Sequence, residues 1–305
     1  MSSTNKTFEE LDVIDDFLIN AIATDPEVGE PFCRTILSVL LQKKIEKLRV
    51  VAQKTIPACV PGLRGIRMDV EIEEDILEEE MQKGGPSMNI YDLEPHLQKG
   101  MNFPKHNRFY QAKIDSRLMK SGERDFSKLP NLYVLTITNF DIFGKDYMMY
   151  RFRNKCEEVP ELEYEDGLNF IYFYTGGSKG GNEDIKAMLR YLQNSTEANI
   201  TNDATKTIHD YVSKVKVLPE VKEEFMRFDE LMEYAKQEGM RRGLEEGQRA
   251  AKAQAILELL EMNGVIPKEI EEIITVEEDS GTLSRWHKLA AKADSIPEFV
   301  ERMKN

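Results

Sequence analysis

Cysteine is scarce in this sequence. Three residues in 305, Cys33, Cys59 and Cys156, are odd in number and far apart, and none forms a CxxC pair. That excludes a disulfide framework and a zinc ribbon, and reads as reduced thiols in a cytoplasmic protein. The four histidines, His96, His106, His209 and His287, are too dispersed to form a metal box, and the two in later helices are expected at the surface. No run approaches the roughly 20 apolar residues of a membrane span, and the opening MSSTNKTFEE lacks the pattern of a secretory signal. The stretch GGSKGG after Thr175 lacks the spacing of a phosphate-binding P-loop. Positive charge is also in deficit. The formal net charge of −14 works against general nucleic-acid binding, because phosphate contacts supply most non-specific affinity.

What is present fits a globular chain, with 41% hydrophobic and 9% aromatic residues. Two amphipathic helical stretches open it, TFEELDVIDDFLINAIA and DPEVGEPFCRTILSVLLQ. The first starts at Thr7 and Glu10, spaced as a capping box. Strand patterns follow in LRVVAQKTI, in GIRMDVEIE with Ile66, Met68, Val70 and Ile72 alternating, and in MNIYDLEP. A helix is expected over 106–120, with Phe109, Ala112, Ile114 and Leu118 as its apolar face. LYVLTITNF then reads as a buried central strand, and YMMYRFRN and LNFIYFYT as two more. The order predicts an α/β fold: a mixed sheet flanked by helices, followed by an all-helical C-terminal extension. We expect a first domain over 1–217, a charged helical arm over 218–262 and a small helical module over 263–305. In that module Trp286, Leu289 and Phe299 pack together.

Charge is segregated along the chain. Between Val70 and Glu94 acidic residues face only Lys83, whereas Lys99, Lys105, Arg108, Lys113, Arg117, Lys120 and Arg124 dominate the stretch that follows. Such an arrangement fits a metal site beside a phosphate-binding face, or two solvated faces that partly neutralise each other. Asp69 lies within one predicted strand and Glu94 closes the next. Antiparallel pairing of the two would bring both carboxylates to one hard cation, which prefers oxygen ligands and can activate a bound water. Among 55 acidic residues, two strand carboxylates read on their own as solvated.

The segments GIRMDVEIEE, NIYDLEP, FPKHNRFYQAKIDSRLMKSG and LYVLTITNFDIFG, in that order, resemble the Rpn (recombination-promoting nuclease) family of PD-(D/E)XK nuclease-type transposases. The resemblance extends through RFRNKCEEVPELEYEDGLNFIYFYT to the glycine-punctuated helix with Gly239, Gly243 and Gly247, covering roughly 13–299. It implies a restriction-endonuclease-like fold and cleavage of DNA with Mg²⁺, or Mn²⁺ in its place. Carried onto this sequence, Asp69 and Glu94 become the metal-binding carboxylates. His96 takes the place usually held by lysine or glutamine in the E-x-K or E-x-Q element. Arg108, Tyr110 and Gln111 match the R-x-Y-Q opening of the following helix. Arg67, Lys105, Arg108 and Gln111 become candidates for contact with DNA, with ion pairing and packing as the alternatives for Arg67, Arg108 and Tyr110. Glu80-Met81-Gln82 also spells E-x-Q, but no strand-like run precedes it.

Two functions follow. One is a metal-dependent DNA endonuclease acting in recombination. The other is a non-catalytic protein that keeps the nuclease fold and binds DNA or protein, including further copies of itself, through its C-terminal helices. The net charge, the glutamate-rich segment and His96 favour the second; the ordered resemblance, with both carboxylates in place, favours the first.

Overall fold

A computed structural model describes residues 6–52, 55–56, 66–67, 70–76, 88–119 and 121–304. Cys59, Asp69, Glu80 and Lys83 lie outside the described residues.

The chain divides into two compact units, Met1–Met226 and Arg227–Asn305. In the first, a short turn of helix at Phe8–Glu10 carries the expected capping box. Helices α1 (Asp16–Thr24) and α2 (Gly29–Leu41) follow. The first helical stretch is thus split, because Asp15 restarts the chain as the residue before α1. Next come strands β1 (Leu48–Ala52), β2 (Thr55–Ile56), β3 (Ile66–Arg67), β4 (Val70–Asp75) and β5 (Met88–His96), and then helix α3 (Phe103–Leu118). Strands β6 (Asn131–Thr138), β7 (Met149–Phe152) and β8 (Leu168–Tyr174) complete the sheet. Helices α4 (Glu183–Gln193) and α5 (Asp203–Lys216) follow them.

The main sheet has six strands in the order β1-β4-β5-β6-β8-β7, while β2 and β3 form a separate two-stranded ribbon. It is mixed, as expected. β5 runs parallel to β6 and β6 to β8, while the β1–β4, β4–β5 and β7–β8 pairs are antiparallel. Successive side chains of a strand point to opposite faces. On one face Val70, Ile72, Tyr91, Leu93, Leu135 and Phe173 join a single buried cluster with residues of α1, α2, α4 and α5, including Leu18, Phe32, Ile36, Met188 and Ile208. Burying each such side chain contributes about 1.5–3 kcal/mol. That face is the core that fixes the sheet. The N-terminal segment is tied to the end of α4, where the Ile14 amide donates to the Leu192 carbonyl at 2.9 Å and the Ser195 amide donates to Asp12 at 2.8 Å.

A polar cluster closes one end of this core. Glu74 accepts hydrogen bonds from Lys43 at 3.1 Å, from Asn89 at 2.8 Å and from the Tyr91 hydroxyl. It is a carboxylate on the apolar side of β4, tolerated there because three donors satisfy it.

Helix α6 (Pro219–Glu261) begins in the first unit and ends in the second. In the second unit its last turns pack Ala253, Ile256 and Leu260 with α7 (Lys268–Val276), α8 (Ser280–Ala290) and α9 (Ile296–Met303). Trp286 and Phe299 are buried in this cluster and Leu289 lies at its edge, as the sequence suggests. No helix among the described residues is long and apolar enough to cross a membrane.

Leu135, fully buried on β6, reports on the shared core. Leu135→Ala should lower unfolding free energy by about 2–5 kcal/mol, read from urea denaturation followed by circular dichroism. A loss of less than about 0.5 kcal/mol would show that β6 is not central.

Candidate active site

The second face of the sheet is covered by α3, and it is acidic. Alternation along β5 sends Ile90, Asp92, Glu94 and His96 to this side, and antiparallel pairing sets Glu71 of β4 opposite Asp92. Glu71 and Asp92 are 0% exposed and Glu94 is 2% exposed, so three carboxylates lie beneath one helix. Parallel pairing with β6 places Thr136 beside Glu94.

Helix α3 meets this surface with a face chosen for it. Asn102 caps its first turn by accepting from the Lys105 amide at 3.2 Å, and Pro104 stands where a proline costs no hydrogen bond. Phe103, Asn107, Tyr110 and Ile114 are its buried residues, at helical spacing. Tyr110 and Ile114 pack on Ile90, Leu132 and Val134. Asn107 donates to the Thr136 hydroxyl at 2.9 Å. One turn beyond Ile114, Arg117 donates to Glu71 in an ion pair whose carboxylate side chain is fully buried. The expected apolar face is therefore corrected. Ile114 and, at the edge, Leu118 pack inward as expected, but Phe109 and Ala112 are exposed. The sheet beneath offers carboxylates as well as apolar groups, so polar Asn107, Tyr110 and Arg117 suit it better.

His96 is held at the end of β5. Its ring centroid lies 5.3 Å from Phe103 and 5.3 Å from His106, and His106 in turn lies 4.1 Å from Tyr110. Burial, reinforced by repulsion from His106, lowers its pKa to about 4. His96 is thus neutral near pH 7. Its Nε2, 3.7 Å from Glu94, is a dipole beside that carboxylate and carries no charge. A neutral imidazole does not replace the ammonium of a lysine at this position. Tyr172 of β8 completes this end; burial pushes its hydroxyl up to about 12, against the lowering influence of its hydrogen bond with Asn107.

The sequence-derived candidates fall into three groups. Glu94 and His96 are brought together. Lys105 and Arg108 are exposed, on the side of α3 turned away from the carboxylates, and Gln111 donates to Asp115 at 2.5 Å along the same helix. Asp69 lies outside the described residues, as does the side chain of Arg67, whose backbone pairs with Thr55 in the β2–β3 ribbon. His209, expected at the surface, is half-buried and hydrogen-bonded to Tyr191 at 3.0 Å, whereas His287 is exposed. Glu71, Asp92, Asn107 and Arg117 complete the site and were not singled out by pattern. Arg117 carried a signal, because residues 107, 110, 114 and 117 repeat at i, i+3, i+7 and i+10. An arginine on an otherwise buried stripe needs a buried acid opposite it.

The oxygen donors on this face are of the kind a hard divalent cation takes. Among the described residues no three histidine, cysteine, aspartate or glutamate side chains are grouped so as to hold an ion. An ion placed here would need a ligand beyond these residues. No family model, curated protein or solved structure matches the chain.

Two outcomes follow from the geometry. Arg117→Met should destabilise the fold by about 3–5 kcal/mol by stranding the buried Glu71 charge, and adding Glu71→Gln should recover most of that loss. Denaturant titrations of the single and double variants test this, and equal losses in both would contradict it. Second, neutral His96 favours the folded state fully above its ordinary value near 6.5. That contribution falls away as pH drops from 6.5 toward 4. Its ring resonances should therefore show the neutral form at pH 6, and a midpoint at or above 6.5 would refute the assignment.

Proposed function

We propose that the chain is a metal-dependent DNA endonuclease of the PD-(D/E)XK type, built on a restriction-endonuclease-like version of its mixed sheet and acting in the cytoplasm. The observation that carries this reading is the position of Glu94. It is a buried carboxylate near the end of β5, between Thr136 on β6 and the β4 ladder. The last described pair of that ladder is Val70 opposite Leu93, and the next residue on each chain is acidic: Asp69 and Glu94. One further step of antiparallel pairing would turn both carboxylates to the same face.

In this reading Asp69 and Glu94 hold Mg²⁺ or Mn²⁺, which when bound supplies an activated water and offsets phosphate charge. The remaining work belongs to side chains of the chain. Thr136, fixed by Asn107, limits where Glu94 can turn. His96 excludes bulk water from one side of that carboxylate and leaves its charge intact. Lys105 and Arg108, exposed on α3, attract and orient the DNA backbone without contacting the reacting phosphate.

A second reading has its own observation. The middle of α6 exposes Leu231, Tyr234, Met240 and Leu244, each more than 60% accessible. Such a surface suits a binding protein that associates with itself or a partner through its C-terminal helices.

Plasmid nicking with Mg²⁺ or Mn²⁺ separates the two. The nuclease reading expects metal-dependent nicking that falls at least 100-fold, on the order of a lost metal ligand, in both Asp69→Asn and Glu94→Gln. A folded wild-type protein that nicks nothing at low and moderate salt favours the binding reading. Nicking that survives Glu94→Gln would place the chemistry elsewhere.

A further inference from the structure

The three carboxylates beneath α3 pose a question of access. Glu71, Asp92 and Glu94 are shut off from solvent, yet a phosphodiester must approach any ion bound at Glu94. The element that covers them is a single helix, held by apolar and polar contacts. Helix α3 buries four side chains, and its outward side, including Lys105, Arg108, Phe109 and Ala112, is exposed. Its polar contacts with the sheet include Asn107 with Thr136 and Tyr172 near one end and Arg117 with Glu71 near the other.

Its connections have the form of hinges. Residues 98–102 before it and 121–128 after it are exposed throughout. Each connection contains a glycine in the left-handed region, Gly100 at φ +105° and Gly122 at φ +86°. At neither would an added Cβ meet any atom within 4 Å. Packing therefore does not hold these two bends, and glycine is the residue for which large φ changes cost least.

We propose that α3 is a hinged cover over the carboxylate face, pivoting on Gly100 and Gly122. The structure holds it in the closed position, and its opening admits the polyanionic substrate. The opening is local: β4, β5 and β6 stay paired, because their other face is fixed by the main core. In the open state the inner residues Asn107, Tyr110 and Arg117 are released along with the carboxylates, and Arg117 becomes a cation available to a phosphate at the mouth of the site. The consequence for catalysis rests on the nuclease reading, whereas the motion does not.

Amide hydrogen exchange of the full chain, read by mass spectrometry, tests the motion directly. Amides of α3 should exchange at least tenfold faster than those of β5 and β6. Ile114→Ala, which removes the central apolar anchor, should raise α3 exchange about tenfold further while β5 and β6 stay unchanged. If that variant does not fold, Leu118→Ala, at the edge of the same cluster, serves in its place. Exchange in α3 within twofold of the strands, with all three elements accelerating together in the variant, would overturn the proposal. A parallel nicking assay keeps the two ideas separate. Fast α3 exchange in a protein that never nicks DNA supports the cover and removes the nuclease. Slow α3 exchange in a protein that nicks DNA does the reverse.

Discussion

Strand β5 is covered on both faces, and it carries acids on one of them. That constraint governs the rest of the first unit. A buried carboxylate is strongly unfavourable unless hydrogen bonds or a cation satisfy it. The helix that covers Glu71, Asp92 and Glu94 must therefore bring polar groups with it. Arg117 meets that requirement for Glu71, while Asn107 near the other end donates to Thr136, which stands beside Glu94, with Tyr110 and Ile114 packing on the apolar floor between them. The opposite face of the same strands is ordinary core. Tyr91, Leu93, Val70 and Ile72 fix the sheet against four helices, in a cluster that includes no residue of α3.

The segregation of charge seen along the sequence acquires a spatial meaning here. The acidic run supplies the floor of the site, and the basic run that follows supplies the helix above it. Arg117, however, turns inward to Glu71, whereas Lys105 and Arg108 face solvent. The two signs neutralise each other across a buried interface, while the outer side of α3 keeps a cationic surface in a chain of net charge −14. Helix α3 thus stands between that surface and the carboxylates.

Much of the fold was legible because its signals are local. The run Leu132–Ile137 is apolar except for Thr136, as suits a strand covered on both sides, and the helical stretches after Gly181 show clear periodicity. The site was legible only in part. Glu94 and His96, chosen from the order of motifs, do lie together at the end of β5, but the alternation Ile66, Met68, Val70, Ile72 leaves open what covers Glu71. A single strand cannot show that a distant helix covers that face. The same non-local cause misassigned the inner side of α3, where Phe109 looks more apolar than Asn107 and is nonetheless outside. A histidine exposed to water is partly charged near neutral pH, whereas burial beside Phe103 and His106 makes His96 neutral. These are effects of tertiary environment, which propensity does not carry.

The central claim is that the covered acidic face, and Glu94 in particular, is where a divalent cation binds. Titration of isotope-labelled protein with Mn²⁺, followed by paramagnetic broadening of amide signals, addresses it without any assay of cleavage. The account expects the signals of β5 around Glu94 and of the first turns of α3 to broaden first, and this to disappear in Glu94→Gln. Broadening confined to exposed acidic stretches such as 157–166, with β5 unaffected in the wild-type protein, would contradict it.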